Sequence, residues 1–384
     1  MPGSYIFQPN SPESPQVVRF SVGGISVDLR IKTIGHLPCA PGKFRRLTLL
    51  LTFLLSRQCF AVADEVPAFP EIKEKLSQVN VPMKTLGGRQ LWGDVHFFQG
   101  WTIQQNVYTK HFRLLDKRDV RHAWGSFDVC KAKLDEVRQE LKLPPMKGEA
   151  VVLLHGIFRS SKAMARVQER LEKDGYLVVP FDYPSTRVDI AASARMLGQV
   201  IKSLQGVEKI SFVTHSMGGL VVRSWLAQGG DDRARCLVMM GTPNKGAEVA
   251  DILRDWHLYR LILGPAGQQL VADQAGVIAR LPVPKIPFAV IAGGKGTKDG
   301  YNPLIPGDDD GLVAVASACL EGAEDSLTLP VLHSFLPFNA EVIGAVSRYL
   351  RMGAFREDST RIPVEQGGMS LQSESQVEAR ADGE

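Results

Sequence analysis

The sequence predicts an α/β fold, a mostly parallel sheet flanked by helices, behind a small β-rich N-terminal extension. Three observations carry this. From residue 149 onward, short apolar runs suited to strands buried on both faces alternate with segments of helical periodicity, the pattern of a parallel sheet covered on both sides. One of these runs, residues 210–214, turns at His215-Ser216-Met217-Gly218-Gly219 and continues as an apolar helix. Before residue 149 the chain instead carries short aromatic and β-branched runs broken by turn residues.

The composition is that of a globular protein, 44% hydrophobic and 22% charged over 384 residues, enough for one large domain or two ordinary ones. The formal net charge is only +4, and no basic cluster is interleaved with aromatics, so nothing points to nucleic acid. Cys39, Cys59, Cys130, Cys236 and Cys319 include no C-x-x-C pair, which argues against structural zinc. Cys236 opens an apolar run and reads as a small core residue, while a Cys130–Cys319 bridge is open to an exported protein.

Taken in order, residues 1–42 hold Pro, Ser and Gly around one strand-like piece, 17–31, and are expected to be disordered or not translated. Lys43-Phe44-Arg45-Arg46, the apolar run 47–55 and Ala61-Val62-Ala63 form the basic start, short apolar core and small-residue exit of a signal peptide. The run is far shorter than the ~20 residues of a membrane-spanning helix. Its distance from Met1 fits a translation start downstream or an internal signal, and a buried helix is the alternative. The expectation is an exported protein, periplasmic or extracellular, beginning near Asp64.

A polar lead-in then reaches residue 86, and strands are expected at 91–98, 101–107 and 112–115. Trp92, Trp101 and Trp124 suit packing in a small sheet, with a carbohydrate-binding face as the other reading. Residues 127–143 form an amphipathic helix with Val129, Leu134, Val137 and Leu141 on one stripe, ended by Pro144-Pro145. Thus 64–148 is an N-terminal extension with short strands and one helix. Beyond it, strands are expected at 150–154, 176–181, 209–214, 236–240, 287–292 and 327–332, with helices at 161–173, 190–204, 217–228 and 340–352. Residues 354–384 are polar and charged, the composition of a disordered tail.

The turn at residue 216 concentrates the chemistry. A serine at the tip of a sharp strand-to-helix turn has its hydroxyl pushed clear of the backbone, and the helix N-terminus favours a developing anion. Gly218 and Gly219 fit because a Cβ would crowd the strand and helix brought together there. Thr214 stands where the Gly-x-Ser-x-Gly pattern has glycine, and its branched side chain makes close packing less assured. Upstream lies Leu153-Leu154-His155-Gly156-Ile157; downstream come Met240-Gly241-Thr242-Pro243-Asn244-Lys245-Gly246, Asp308-Asp309-Asp310-Gly311-Leu312-Val313, and His333 before the final helix.

These motifs, in this order over residues 149–353, resemble the α/β-hydrolase superfamily and its lipase and esterase branch. The resemblance implies Ser216 as nucleophile, Asp310 as triad acid and His333 as general base, in the hydrolase order. It implies the amides of Ile157 and Met217 as oxyanion donors, the Gly-Thr-Pro turn as a pocket wall, and residues 247–286 as a helical cap or lid. Asp299 is a weaker contender for the acid, and Asp308 and Asp309 are expected to be solvated or, less simply, bound to calcium. His215 is expected to point away from the serine, and His155 to be structural. The implied activity is cleavage of carboxylic esters through an acyl-enzyme, with no metal or organic cofactor; an acyltransferase on the same triad and a non-catalytic binding protein are the alternatives. A hydrophobic ester or lipid is the expected substrate, with transient membrane-surface contact, and the oligomeric state is left open.

Overall fold

The computed structural model describes residues 16–22, 25–31, 83–84, 89–246, 265–270 and 276–365. The signal-like segment 43–63, the start near Asp64 and the apolar residues expected in the cap (Ile252, Leu253, Trp256, Leu258, Leu261, Ile262 and Leu263) lie outside them. The chain divides into two units, residues 1–73 and 74–384. In the first, β1 (Gln16–Val22) and β2 (Ile25–Ile31) pair antiparallel, with Gln16 opposite Ile31.

The second unit starts with an antiparallel sheet of β3 (Met83–Lys84), β4 (Trp92–Phe98), β5 (Trp101–Asn106), β6 (Phe112–Leu115) and β7 (Val120–Gly125), in the order β3-β7-β6-β5-β4. β7 was not among the strands expected from sequence, because Val-Arg-His-Ala-Trp-Gly buries only Ala123 fully and shows no clean alternation. The tryptophans pack with cations and imidazoles: the Arg113 guanidinium lies 4.1 Å above Trp92, and Trp101 meets His122 edge-on at 4.7 Å. Helix α1 (Phe127–Glu140) lies on this sheet, capped by Ser126, which accepts from the Val129 amide. Its buried stripe is Cys130, Leu134 and Val137; Val129 and Leu141, expected on it, are exposed. One position of difference rotates a helical residue by about 100°, which is why Cys130 and not Val129 faces the core.

The parallel sheet contains β8 (Gly148–Leu154), β9 (Leu177–Phe181), β10 (Val207–His215), β11 (Ala234–Met240), β12 (Phe288–Gly293) and β13 (Asp325–Leu329), in the order β13-β12-β11-β10-β8-β9. Every neighbouring pair is parallel. Strand residues alternate between two cores. Ala150, Val152, Leu154, Ile210, Phe212, Leu237 and Met239 face α3 (Ile190–Ser203) and α4 (Met217–Ala227). Val151, Leu153, Val213, Val238 and Met240 face α2 (Ala165–Lys173) and the last helix. Burial on both faces explains the near-continuous apolar runs in the sequence. The antiparallel sheet and α1 join the first core through Phe97, Phe98, Ile103, Leu114, Cys130 and Leu134.

Two short elements precede the end: α5 (Val315–Ala318) and a 3-10 turn, His333–Phe338. Helix α6 (Ala340–Met352) is capped by Asn339 and closed by Gly353 in the left-handed conformation. The expected disordered tail begins too early: residues 354–365 are hydrogen-bonded to the fold, with Ala354 and Phe355 buried and 357–361 exposed. Phe355 is fully buried beside Tyr349, and buried Asp325 accepts from the amides of Phe355 (2.7 Å) and Ile362 (2.8 Å) and from Arg356. Composition misled here because the segment is held mainly by backbone amides and one arginine on a single buried carboxylate. Cys130, Cys236 and Cys319 are free, so Cys130 and Cys319 form no bridge. Burial in the core pushes the Cys130 thiol up to about 12. Among the described residues no helix is long and apolar enough to cross a membrane.

Phe355→Ala is expected to cost about 3–5 kcal/mol, the usual penalty for emptying a buried aromatic site. Urea unfolding of the two proteins reads this directly, and an unchanged midpoint would return residues 354–365 to an unpacked tail.

Candidate active site

Strand β10 lies between β8 and β11, with Thr214 opposite Leu154 on one side and Met239 on the other. The next residue but one, Ser216, has φ 54° and ψ −127°, a left-handed backbone that non-glycine residues rarely adopt and that costs on the order of 1–3 kcal/mol. It is held there by its neighbours. The Ser216 amide donates to Met240 O at 2.8 Å, and Ser216 O accepts from Thr242 Oγ1 at 3.0 Å and from the Gly219 amide at 3.1 Å. A Cβ on Gly218 would stand 2.9 Å from Leu154 O, and one on Gly219 would overlap Thr242 Oγ1. The two glycines therefore permit α4 to approach β8 and β11 closely. Thr214 is accommodated inside the sheet, where its hydroxyl donates to Val238 O at 3.2 Å.

The loop after β8 lies against the elbow. A Cβ on Gly156 would be 3.0 Å from Ser216 Cβ, closer than packing allows without movement. His155 is buried and structural, stacked on Tyr183 with ring centroids 4.4 Å apart, and the Tyr183 hydroxyl donates to His155 O at 2.5 Å. The Ile157 amide, and the Met217 amide at the start of α4, donate to no other group among the described residues.

Asp310 and His333 are brought together by the loops after β12 and β13. His333 Nδ1 donates to Asp310 Oδ2 at 2.7 Å, and the His333 amide donates to Asp310 O at 2.8 Å. Asp310 Oδ1 accepts from the amides of Leu312 (3.0 Å) and Val313 (2.8 Å), so the carboxylate is aimed by its own loop. With Nδ1 engaged, the lone pair at Nε2 is the one left for a proton. Gly241 (φ 58°) backs this pair: a Cβ there would lie 3.1 Å from His333 Nδ1 and 3.3 Å from Asp310 Oδ2. The residue before it, Met240, holds the Ser216 amide, which places serine and Asp–His pair at one end of the sheet. No hydrogen bond joins Ser216 Oγ to His333 among the described contacts; nucleophile–base bonds often tighten only around substrate.

His215 does more than point away from the serine. Its Nε2 donates to His333 O at 3.0 Å, its ring lies 4.8 Å from that of His333, and its Nδ1 is buried without a partner. Burial, followed by the neighbouring His333, holds its pKa well below the ordinary value, so it stays neutral. Nothing in the sequence signalled this contact, which spans 118 residues. Tyr183 was likewise invisible as a site residue, and the Gly-Thr-Pro turn, expected as a pocket wall, has contacts that sequence did not specify: Gly241 against the Asp–His pair and Thr242 on Ser216 O.

The acidic run resolves differently from the solvated reading. Asp309 is fully buried and accepts from the amides of Asn302 (3.1 Å) and Gly311 (2.6 Å); Asp308 accepts from those of Lys295 (2.6 Å) and Gly296 (2.9 Å). Three adjacent aspartates thus divide into two loop braces and one partner for histidine. Asp299 is exposed and makes no contact with His333 among the described residues. No group of three metal-ligating side chains occurs among the described residues. Phe158, Leu312, Leu332 and Phe335, on the chain segments that carry Ile157, Asp310 and His333, are 47%, 44%, 41% and 59% exposed. Arg159 Nη2 donates to Ser334 Oγ (3.2 Å), tying the first of these segments to the last. A cavity of about 460 Å³ lies elsewhere, between the antiparallel sheet and the β9–α2 side, lined by Asp94, Gln104, Lys162, Glu172 and Asp182. Its lining includes Ser161, whose hydroxyl donates to Asp182 Oδ2 at 2.8 Å, and contains no histidine.

A six-stranded parallel sheet now carries an elbow serine, an apposed loop amide and an Asp–His pair at one end. The fold is that of an α/β-hydrolase. A family model described as a domain of unknown function, DUF7379, matches residues 115–279, which include Ile157 and Ser216 and stop before Asp310 and His333. A search of curated protein sequences gives no match. Among solved structures, the chain is similar to a Bacillus licheniformis lipase in its propeptide form, at 20% identity and a TM-score of 0.43, over 59% of this chain and 54% of that one. It is also similar to a metagenomic carboxyl esterase, at 19% identity and 0.37 over 50% and 67% of the two chains. A third similarity is to a thermophilic esterase from Thermogutta terrifontis, at 18% and 0.36 over 54% and 91%. The match thus spans about half the length of the first of these.

His215 has a consequence for pH. An unfolded histidine takes up a proton near pH 6.5 while this buried one does not, so the unfolded state binds more protons and stability falls as pH drops below about 6.5. His96, lowered to about 4 by burial and by Lys131, adds to the same slope. Denaturation midpoints from pH 7.5 to 5 are expected to fall in the wild type and to fall less in His215→Gln; equal slopes would contradict a neutral His215.

Proposed function

We propose that the chain is a serine hydrolase of lipase/esterase type that cleaves carboxylic esters with Ser216, His333 and Asp310. The observation that supports this most is a serine strained onto a helix N-terminus at the same sheet end as a histidine whose Nδ1 is bonded to a buried carboxylate. In the reaction, His333 Nε2 takes the proton of Ser216 as Oγ attacks the ester carbonyl. The Ile157 and Met217 amides hold the tetrahedral oxyanion, each such donor being worth on the order of 10²–10³ in rate. Collapse of the intermediate breaks the bond to the alcohol, which leaves with the proton from His333. Water then gives its proton to His333 and attacks the acyl-enzyme, and Ser216 regains its proton as the acid departs.

Exposed Phe158, Leu312, Leu332 and Phe335, on the segments that carry Ile157, Asp310 and His333, favour hydrophobic esters or lipids over small polar ones, since they offer acyl chains surface that is otherwise left in water. Export through residues 43–63 is part of the same proposal. N-terminal sequencing of protein recovered outside the cytosol should read near Asp64, and an intact N-terminus confined to the cytosol contradicts it.

Ser216→Ala and His333→Ala are each expected to lower kcat on p-nitrophenyl esters by about 10⁴–10⁶, with the double variant no worse than either, because the residues act as a unit. Multiplicative losses in the double variant would argue for two independent roles. Asp310→Asn should cost on the order of 10⁴ in kcat. Asp309→Asn should instead lower the unfolding midpoint, with a much smaller loss of turnover; the reverse ranking moves the acid by one residue.

A further inference from the structure

The antiparallel sheet before β8 has no part in the chemistry just described, yet one of its side chains reaches the loop that carries Ile157. Gln90 lies in the short 3-10 turn Arg89–Leu91 that leads into β4. Its Nε2 donates to Arg159 O at 3.2 Å. Its Oε1 accepts from Ser185 Oγ (3.1 Å), the Thr186 amide (3.0 Å) and Thr186 Oγ1 (2.9 Å). The amide orientation is determined by these partners, because a backbone N–H can only donate and a backbone carbonyl can only accept. Ser185 Oγ in turn accepts from the Phe158 amide at 3.1 Å, and Ser185 and Thr186 are buried.

The bonds bracket the peptide that matters. Gly156 O accepts from the Arg159 amide at 3.2 Å and from His155 Nδ1 at 2.8 Å. In a trans peptide the C=O and the following N–H point in opposite directions, so fixing Gly156 O aims the Ile157 N–H the other way. Gln90 holds Arg159 from its carbonyl side and, through Ser185, holds Phe158, which sits at a positive φ of 61°. The loop is thus pinned on both sides of Ile157 in a backbone shape it would not otherwise favour. Gln90 itself is anchored, because the strand it opens is bonded to the end of β9. The Asp94 amide donates to Asp182 O at 2.9 Å, and the Asp182 amide donates to Asp94 Oδ2 at 2.7 Å. Asp182 also braces the far end of the loop by accepting from the Ser161 amide at 2.7 Å.

We propose that Gln90 is a positioning residue for the oxyanion donor Ile157, and that the N-terminal sheet is retained in this chain to present it. Gln90 touches no reacting atom. It acts by keeping the Ile157 amide aimed at the oxygen that becomes negative, an interaction realised in the transition state more than in the bound ester. The inference rests on the hydrolase reading of Ser216.

The test uses the full chain with p-nitrophenyl butyrate as substrate and an alkyl trifluoromethyl ketone as inhibitor, whose adduct with serine places an oxyanion at the same donors. Gln90→Ala is expected to lower kcat about tenfold, a fraction of the ~10²–10³ for a donor lost outright, with KM changed by less than about twofold. The inhibition constant should weaken by about the factor by which kcat/KM falls. Gln90→Met, similar in size but unable to form the four bonds, should behave like Gln90→Ala, and thermal melts of both should stay near the wild type. Wild-type kcat in Gln90→Met would reduce Gln90 to a space-filler and overturn the proposal. So would an inhibition constant that does not move with kcat/KM. Should either variant fail to fold, Ser185→Ala, which removes the acceptor for Phe158 and one of the four bonds to Gln90, must show the same loss in kcat and in inhibitor affinity. Wild-type turnover that persists in Ser216→Ala is a separate outcome, which removes the reaction and the role of Gln90 with it.

Discussion

A serine held at positive φ between two strand ends is the constraint on which the rest of the site depends. The conformation is unfavourable by itself and persists because β10 continues into α4 without slack, while Met240 O and Thr242 Oγ1 engage both backbone groups of Ser216. That arrangement requires α4 to lie close to Leu154 and Thr242, which requires Gly218 and Gly219. It also requires the two flanking strands to end level with β10, which the parallel registers with Leu154 and Met239 provide. The loop that carries Ile157 and the Gly241 turn follow from those strand ends, so one backbone constraint sets where two neighbouring loops must go.

The Asp310–His333 pair is assembled by a different device. Asp310 receives two amides from its own loop and one imidazole from the next, while His333 is steadied at its carbonyl by His215. A buried neutral histidine suits that task, since a charged one would oppose protonation of His333. Gly241 allows the Asp–His pair to sit against the strand end that holds the serine. The Asp310–His333 pair is therefore registered to Ser216 through the Met240-Gly241 backbone and the His333 carbonyl that His215 holds, rather than through a hydrogen bond from Ser216 Oγ.

Much of this was legible in the sequence because local signals coincide with the fold. Strands buried on both faces leave unbroken apolar runs, and the elbow marks itself by Ser216 beside two glycines. Asp310 was separable from its neighbours only by resemblance, and the structure gives the reason as the backbone amides that Asp308 and Asp309 accept. What sequence could not show depends on long-range meetings. Thr214 looked like a defect at the turn, yet its hydroxyl has a partner on β11. Residues 354–365 looked like a tail because what ties them to the fold is Asp325, some thirty residues away from Phe355. Gln90 carried no signal at all, since its partners lie 69 to 96 residues further on.

Whether Ser216 is a nucleophile activated by His333 is read most directly from the intact mass and peptide map of full-length protein treated with an alkyl fluorophosphonate. One adduct is expected, on the peptide containing Ser216, that forms slowly or not at all in His333→Ala and is absent in Ser216→Ala. An adduct on another residue, or equal labelling of the wild type and His333→Ala, would contradict activation of Ser216 by His333.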